Sequence, residues 1–174
     1  TMAYEGYNFL PTAYGYRSYF DVTPRININS LTVGGCDYVI VFQRNDYSVR
    51  LVALCNDGIY TADPTTASVS WTKSVSMTAL SPGTYKQWSF CIIENDLYIY
   101  RQAETTVSKL SFAGTFSTIT PSFLNMSGQM GIFRANGRLG FWDSANSVSW
   151  SSNLDFSDFT PAIETLAGNA IFND

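Results

Sequence analysis

Four acidic residues stand close enough in pairs to suggest acid–base chemistry: Glu94 with Asp96, and Asp155 with Asp158. Two carboxylates are enough to hydrolyse a glycosidic bond, one as acid and the other as base or nucleophile. Both pairs, however, sit in segments that read as turns, where carboxylates cap nearby backbone N–H groups. The chain has no histidine, which excludes Ser-His-Asp and Cys-His relays and every histidine-ligated metal. Cys36, Cys55 and Cys91 contain no CxxC spacing, so zinc, iron–sulfur and thioredoxin-like sites are excluded. They read as three reduced thiols packed as small apolar groups, with one disulfide and a free thiol as the alternative. The Gly34-Gly35 pair lacks the lysine and helix of a phosphate loop. No catalytic, cofactor-binding or metal-binding residue is expected, and the chain does not read as an enzyme.

The composition supports a folded chain with broad contacts. Of 174 residues, 45% are hydrophobic and 16% aromatic, a composition that fills β-strands. Only 14% are charged, against the roughly 25% usual for soluble domains. The net charge is −4 and no basic run occurs, so the chain lacks the footprint of a protein that wraps DNA or RNA. No apolar run reaches the ~18 residues of a membrane span, and no membrane insertion is expected.

The elements that would position these residues repeat. An apolar strand, an Asn-centred turn and a second strand recur around Asn56, Asn95 and Asn136-Gly137, 39 and 41 residues apart. Asn-Gly and its relatives between apolar strands signal hairpins, because type I′ turns need positive φ at both central residues. Each unit resumes with a polar stretch and a strand, as in Ser68–Trp71, Val107–Leu110 and Ser147–Trp150. Trp71 and Trp150 then occupy equivalent positions and read as blade-packing residues, although tryptophans can also stack on sugar rings. A period near 40 is that of β-propeller blades. The expectation is an all-β chain of antiparallel hairpin repeats forming propeller-like blades, part of a larger β-propeller. Residues 1–35 form an aromatic-rich segment, a partial blade or linker, and residues 36–172 hold three repeats at about 36–80, 81–120 and 121–172. An extra hairpin around Arg44-Asn45-Asp46 precedes the first unit. The opening Thr1-Met2 and the closing Ala170–Asp174, which reads as the start of another strand, suggest a piece of a longer protein.

One stretch carries a named resemblance. Asn136-Gly137-Arg138-Leu139-Gly140-Phe141 has the form N-x-R-L-x-F. Trp150-Ser151 follows, then Asp155-Phe156-Ser157-Asp158-Phe159-Thr160-Pro161, of the form D-F-x-D-F-T-P. Residues 121–172 resemble tailed-bacteriophage structural proteins. They are similar to the tail nozzle (tubular tail B) proteins of short-tailed phages and to the β-propeller proteins that stabilise packaged DNA. The resemblance implies a virion component, located in the phage tail and in the host cytoplasm during assembly. It implies a homo-oligomeric ring, hexameric, around the DNA exit channel, in contact with other tail or portal-adaptor proteins. DNA would pass transiently, without sequence-specific binding. Nozzle proteins are several times longer than this chain, so the resemblance covers one part of such a protein. The alternative is a host-receptor or carbohydrate-binding β domain.

Overall fold

The computed structural model describes residues 9–12, 15–18, 35–65, 70–81 and 84–172. The expected partial blade in residues 1–35 lies largely outside the described residues, as do Ser68 and Val69. Within it, β1 (Phe9–Thr12) and β2 (Gly15–Ser18) pair as an antiparallel hairpin.

Three four-stranded antiparallel sheets follow, each a simple meander. The first contains β3 (Cys36–Gln43), β4 (Val49–Cys55), β5 (Gly58–Ala62) and β6 (Thr72–Ser76). The second contains β7 (Trp88–Ile93), β8 (Asp96–Arg101), β9 (Val107–Leu110) and β10 (Phe116–Ile119). The third contains β11 (Gln129–Ala135), β12 (Arg138–Asp143), β13 (Ser147–Trp150) and β14 (Gly168–Ile171). The all-β, bladed expectation holds.

The sheets stack face to face because the side chains of β8 alternate. Leu97 and Ile99 point to the first blade and, with Trp88 of their own blade, pack against Phe42, Val52, Leu54 and Ile59. Tyr98 and Tyr100 point to the third, where they meet Ile132, Leu139, Phe141 and Phe159. One strand thus supplies both inter-blade cores, and each fully buried large apolar side chain contributes about 1.5–3 kcal/mol. The first strands of the blades gather on one side. Trp88 Nε1 donates to Asp37 Oδ2 at 3.0 Å, and Ile132 N donates to Ser89 Oγ at 2.9 Å.

The turns explain two of the three asparagines. Asn136 and Gly137 take φ 47° and 79°, the left-handed pair that an Asn-Gly turn provides. In the second blade the pair is Glu94 and Asn95, at φ 51° and 70°, since Asp96 already pairs with Ile93 as part of β8. Asn56 departs from the expectation. Neither Asn56 nor Asp57 has positive φ, and their turn joins β4 to β5, whereas Asn95 and Asn136 lie between the first and second strands of their blades. The first repeat unit is therefore displaced by one strand. The turn equivalent to Asn95 is the Arg44–Ser48 loop, the supposed extra hairpin. Asn56 is there for its side chain: Oδ1 accepts from Leu80 N at 2.8 Å and Nδ2 donates to Leu80 O at 3.2 Å, which pins the connection to β7.

Trp71 and Trp150 are corrected for the same reason. Trp71 stands just before the fourth strand of its blade, while Trp150 ends the third strand of its own, so they are not equivalent positions.

Candidate functional site

The resemblance motif forms a plug between blades two and three. Its 17-residue loop, 151–167, leaves β13 and returns to β14. Phe159 is buried with its ring edge-on to Phe141 at 5.5 Å, and Phe141 in turn meets Tyr100 at 5.3 Å. Phe156 packs edge-on to Tyr98 at 5.8 Å. The aspartates shape this loop. Asp155 Oδ1 accepts from Ser157 N at 2.8 Å and Ser157 Oγ at 2.7 Å. Asp158 Oδ1 accepts from Thr160 N at 2.9 Å, which with the Thr160 hydroxyl holds its carboxyl below the usual range. Pro161 is exposed beyond them. Leu139 is fully buried and exchanges hydrogen bonds with Ser151, its N donating to Ser151 Oγ at 3.2 Å. Arg138 Nη1 and Trp150 Nε1 both donate to Leu166 O, at 2.7 and 2.9 Å, tying the return of the loop to the sheet.

A cleft of about 630 Å³ opens between this loop and the outer strands of blade two. Glu94, Asp155 and Lys109 line it, so the structure brings together one carboxylate from each sequence pair. The other two are committed elsewhere: Asp158 to its turn, and Asp96 to Phe112 N at 2.6 Å and to Lys109 Nζ at 2.7 Å. Among the described residues, no group of three or more His, Cys, Asp or Glu could hold a metal.

The two end faces of the stack are the more distinctive surface. On the outward face of blade three, large rings lie over glycines. A Cβ on Gly131 would stand 2.2 Å from the Trp142 ring, one on Gly140 2.6 Å from Phe133, and one on Gly168 2.8 Å from Trp150. These are register partners across β11, β12, β13 and β14. The absence of Cβ atoms lets each ring lie over its glycine, so Phe133, Trp142 and Trp150 form a partly exposed aromatic face, with Phe133 and Trp142 tilted at 46° to one another. On the outward side of blade one, Val39 and Val41 of the edge strand β3 are 43% and 67% exposed, whereas their register partners Ala53 and Leu51, and Tyr60 beyond, are buried. Tyr38 and Phe90, edge-on at 6.4 Å, and the exposed Ile92 extend the apolar surface along the first strands.

Polar clamps hold the stack together. Arg101, 1% exposed, donates through Nη1 to Asn56 O at 2.5 Å and through Nη2 to Thr78 O at 2.9 Å and Glu104 Oε1 at 2.6 Å. Its guanidinium also lies 5.6 Å from the centre of the Trp88 ring. In blade one, buried Asp57 accepts from Tyr60 Oη at 2.8 Å and pairs with Lys73. Burial alone would raise the Asp57 pKa, but the Lys73 and Tyr60 hydrogen bonds outweigh it and hold the carboxyl below its ordinary value. Sequence reasoning missed both clamps, because an isolated arginine or a turn aspartate carries no pattern that announces burial.

No protein-family model and no curated protein matches the sequence. Among solved structures the chain is similar to a streptogramin B lyase, with 14% identity and a TM-score of 0.46, over 83% of this chain and 43% of that one. The chain spans less than half the length of that protein.

Proposed function

We propose that this chain is a structural component of a phage virion, a sector of a propeller that assembles into a ring around the DNA exit channel. The observation that carries the reading is the apolar side chains left uncovered at the two ends of the stack. Inner blade faces are covered by their neighbours, whereas Val39 and Val41 on the edge strand at one end are exposed and Phe133, Trp142 and Trp150 at the other are partly exposed. Exposed contiguous apolar surface marks an interaction site. Propellers close with 4–8 blades, and a ring of chains, hexameric or otherwise, would cover both ends together with other tail or portal-adaptor proteins.

Two further features support this reading. The motif that resembles phage tail proteins acts here as an inter-blade plug, a structural role. The strands β3, β7 and β11 carry one cationic residue between them, Arg134, so this edge would not arrest DNA by phosphate neutralisation. Peptide mass spectrometry on purified virions tests the proposal. It predicts these sequences at a few copies per particle. Absence from particles, with the chain free in the lysate, would overturn it.

A second reading has one specific observation behind it. The Trp142 ring, laid over Gly131 with Phe133 tilted beside it at 46°, also suits stacking on a sugar ring. Glycan binding that survives in the monomer and is lost in Trp142→Ala would favour a host-recognition role.

A further inference from the structure

Cys36 and Cys55 are directly opposed across the antiparallel pair β3–β4. Opposed residues in such a ladder have Cα atoms about 4.5–5.5 Å apart, inside the roughly 4.4–6.8 Å that a disulfide spans. Cys36 Sγ donates to Tyr38 O at 3.2 Å, and each thiol perturbs the titration of the other. A register shift between Cys36 and Tyr38 and the open space around Gly35, at φ 79°, leave the backbone room to adjust. The third cysteine, Cys91, lies on β7 against the core between blades two and three.

We propose that Cys36 and Cys55 form a reversible cross-strand disulfide by exchange with a small-molecule disulfide such as oxidised glutathione, while Cys91 stays a free thiol. Cys36 is partly exposed and Cys55 fully buried, which sets the order of events. The Cys36 thiolate attacks one glutathione sulfur and releases the other as a thiolate. The Cys55 thiolate then attacks the Cys36 sulfur and releases the second glutathione. Two protein thiols are oxidised, one glutathione disulfide is reduced, and the two protons end on the two released glutathiones. Burial raises the pKa of both thiols, Cys55 to about 12, so exchange is slow at neutral pH and accelerates as pH rises. The bond has a structural use. Among the described residues β3 is an edge strand, hydrogen-bonded to β4 alone, and the link secures it beside the outward face formed by Ala53, Tyr60 and Trp71. This pairing is independent of the assembly role.

The test equilibrates the full chain with oxidised glutathione at mildly alkaline pH, quenches in acid, and alkylates under denaturing conditions before peptide mass spectrometry. The expected result is a Cys36–Cys55 linked peptide, two hydrogens lighter than the reduced pair, with Cys91 alkylated and full reversal by reductant. Cys91→Ser retains the link, and its oxidised form melts at a higher temperature than its reduced form. Three alkylated cysteines, a lasting glutathione adduct, or a link that involves Cys91 would overturn the assignment. So would an equal melting temperature for oxidised and reduced Cys91→Ser.

Discussion

Trp142 fills the space that a Cβ on Gly131 would need, with ring atoms 2.2–2.9 Å from that position. Gly131 is opposite Trp142 in the β11–β12 register, so the ring lies flat because its partner has no side chain. Gly131→Ala should lift the ring and cost about 1–3 kcal/mol, the range for overpacking. Urea unfolding checks this, and an unchanged midpoint would contradict the flat-ring account.

Arg101 joins blade two to the Asn56 turn of blade one through buried hydrogen bonds. Arg101→Met leaves those buried carbonyls without their donor and Glu104 with Lys86 alone, 3.4 Å away, and should cost about 3–5 kcal/mol, as breaking a buried pair does. Glu104→Gln keeps an acceptor and should cost about 1–3 kcal/mol. Denaturant unfolding of both variants gives the ordering, and a larger loss for Glu104→Gln would contradict it.

Acid should weaken the fold through Asp57. Its folded pKa lies below the unfolded value of about 3.9. The stability it contributes is therefore present above that value and lost as pH falls through the folded pKa. Lys73 works in the opposite direction: its hydrogen bond to Asp57 raises its pKa, so its contribution is lost only as pH rises through that raised value. Thermal midpoints between pH 2 and 7 should fall less steeply at the acid end in Asp57→Asn than in the parent. Parallel curves would contradict this assignment.

The plug makes a sharper distinction within one motif. Phe159→Ala should cost about 3–5 kcal/mol, because Phe159 is buried against Phe141. Asp155→Ala removes two exposed turn hydrogen bonds and should cost about 1 kcal/mol. Equal losses, measured by denaturant midpoint, would argue against a packing role for the phenylalanines.

Much of this architecture was legible in the chain. Asn136-Gly137 and the Asn95 turn announce hairpins because left-handed φ is a local requirement that local residues reveal. The first blade stands one strand out of step with the repeat that its sequence suggests, because its equivalent turn, Arg44–Ser48, carries no Asn-Gly signal, whereas Asn56-Asp57-Gly58 resembles one. Gly58 serves another purpose: a Cβ there would meet Val75 O at 2.1 Å, so the glycine reflects close strand approach. The aromatic face and the Arg101 clamp were illegible because they depend on which blade stands opposite, a relation that strand periodicity does not encode. Glu94 and Asp155 share a cleft for the same reason.

Sedimentation velocity over a range of concentrations tests most directly the claim that the end faces drive assembly. The account predicts discrete species larger than the 19.3 kDa chain, reduced to folded monomer by Val41→Glu or Trp142→Glu with circular dichroism unchanged. A parent chain that remains monomeric at every concentration would contradict it.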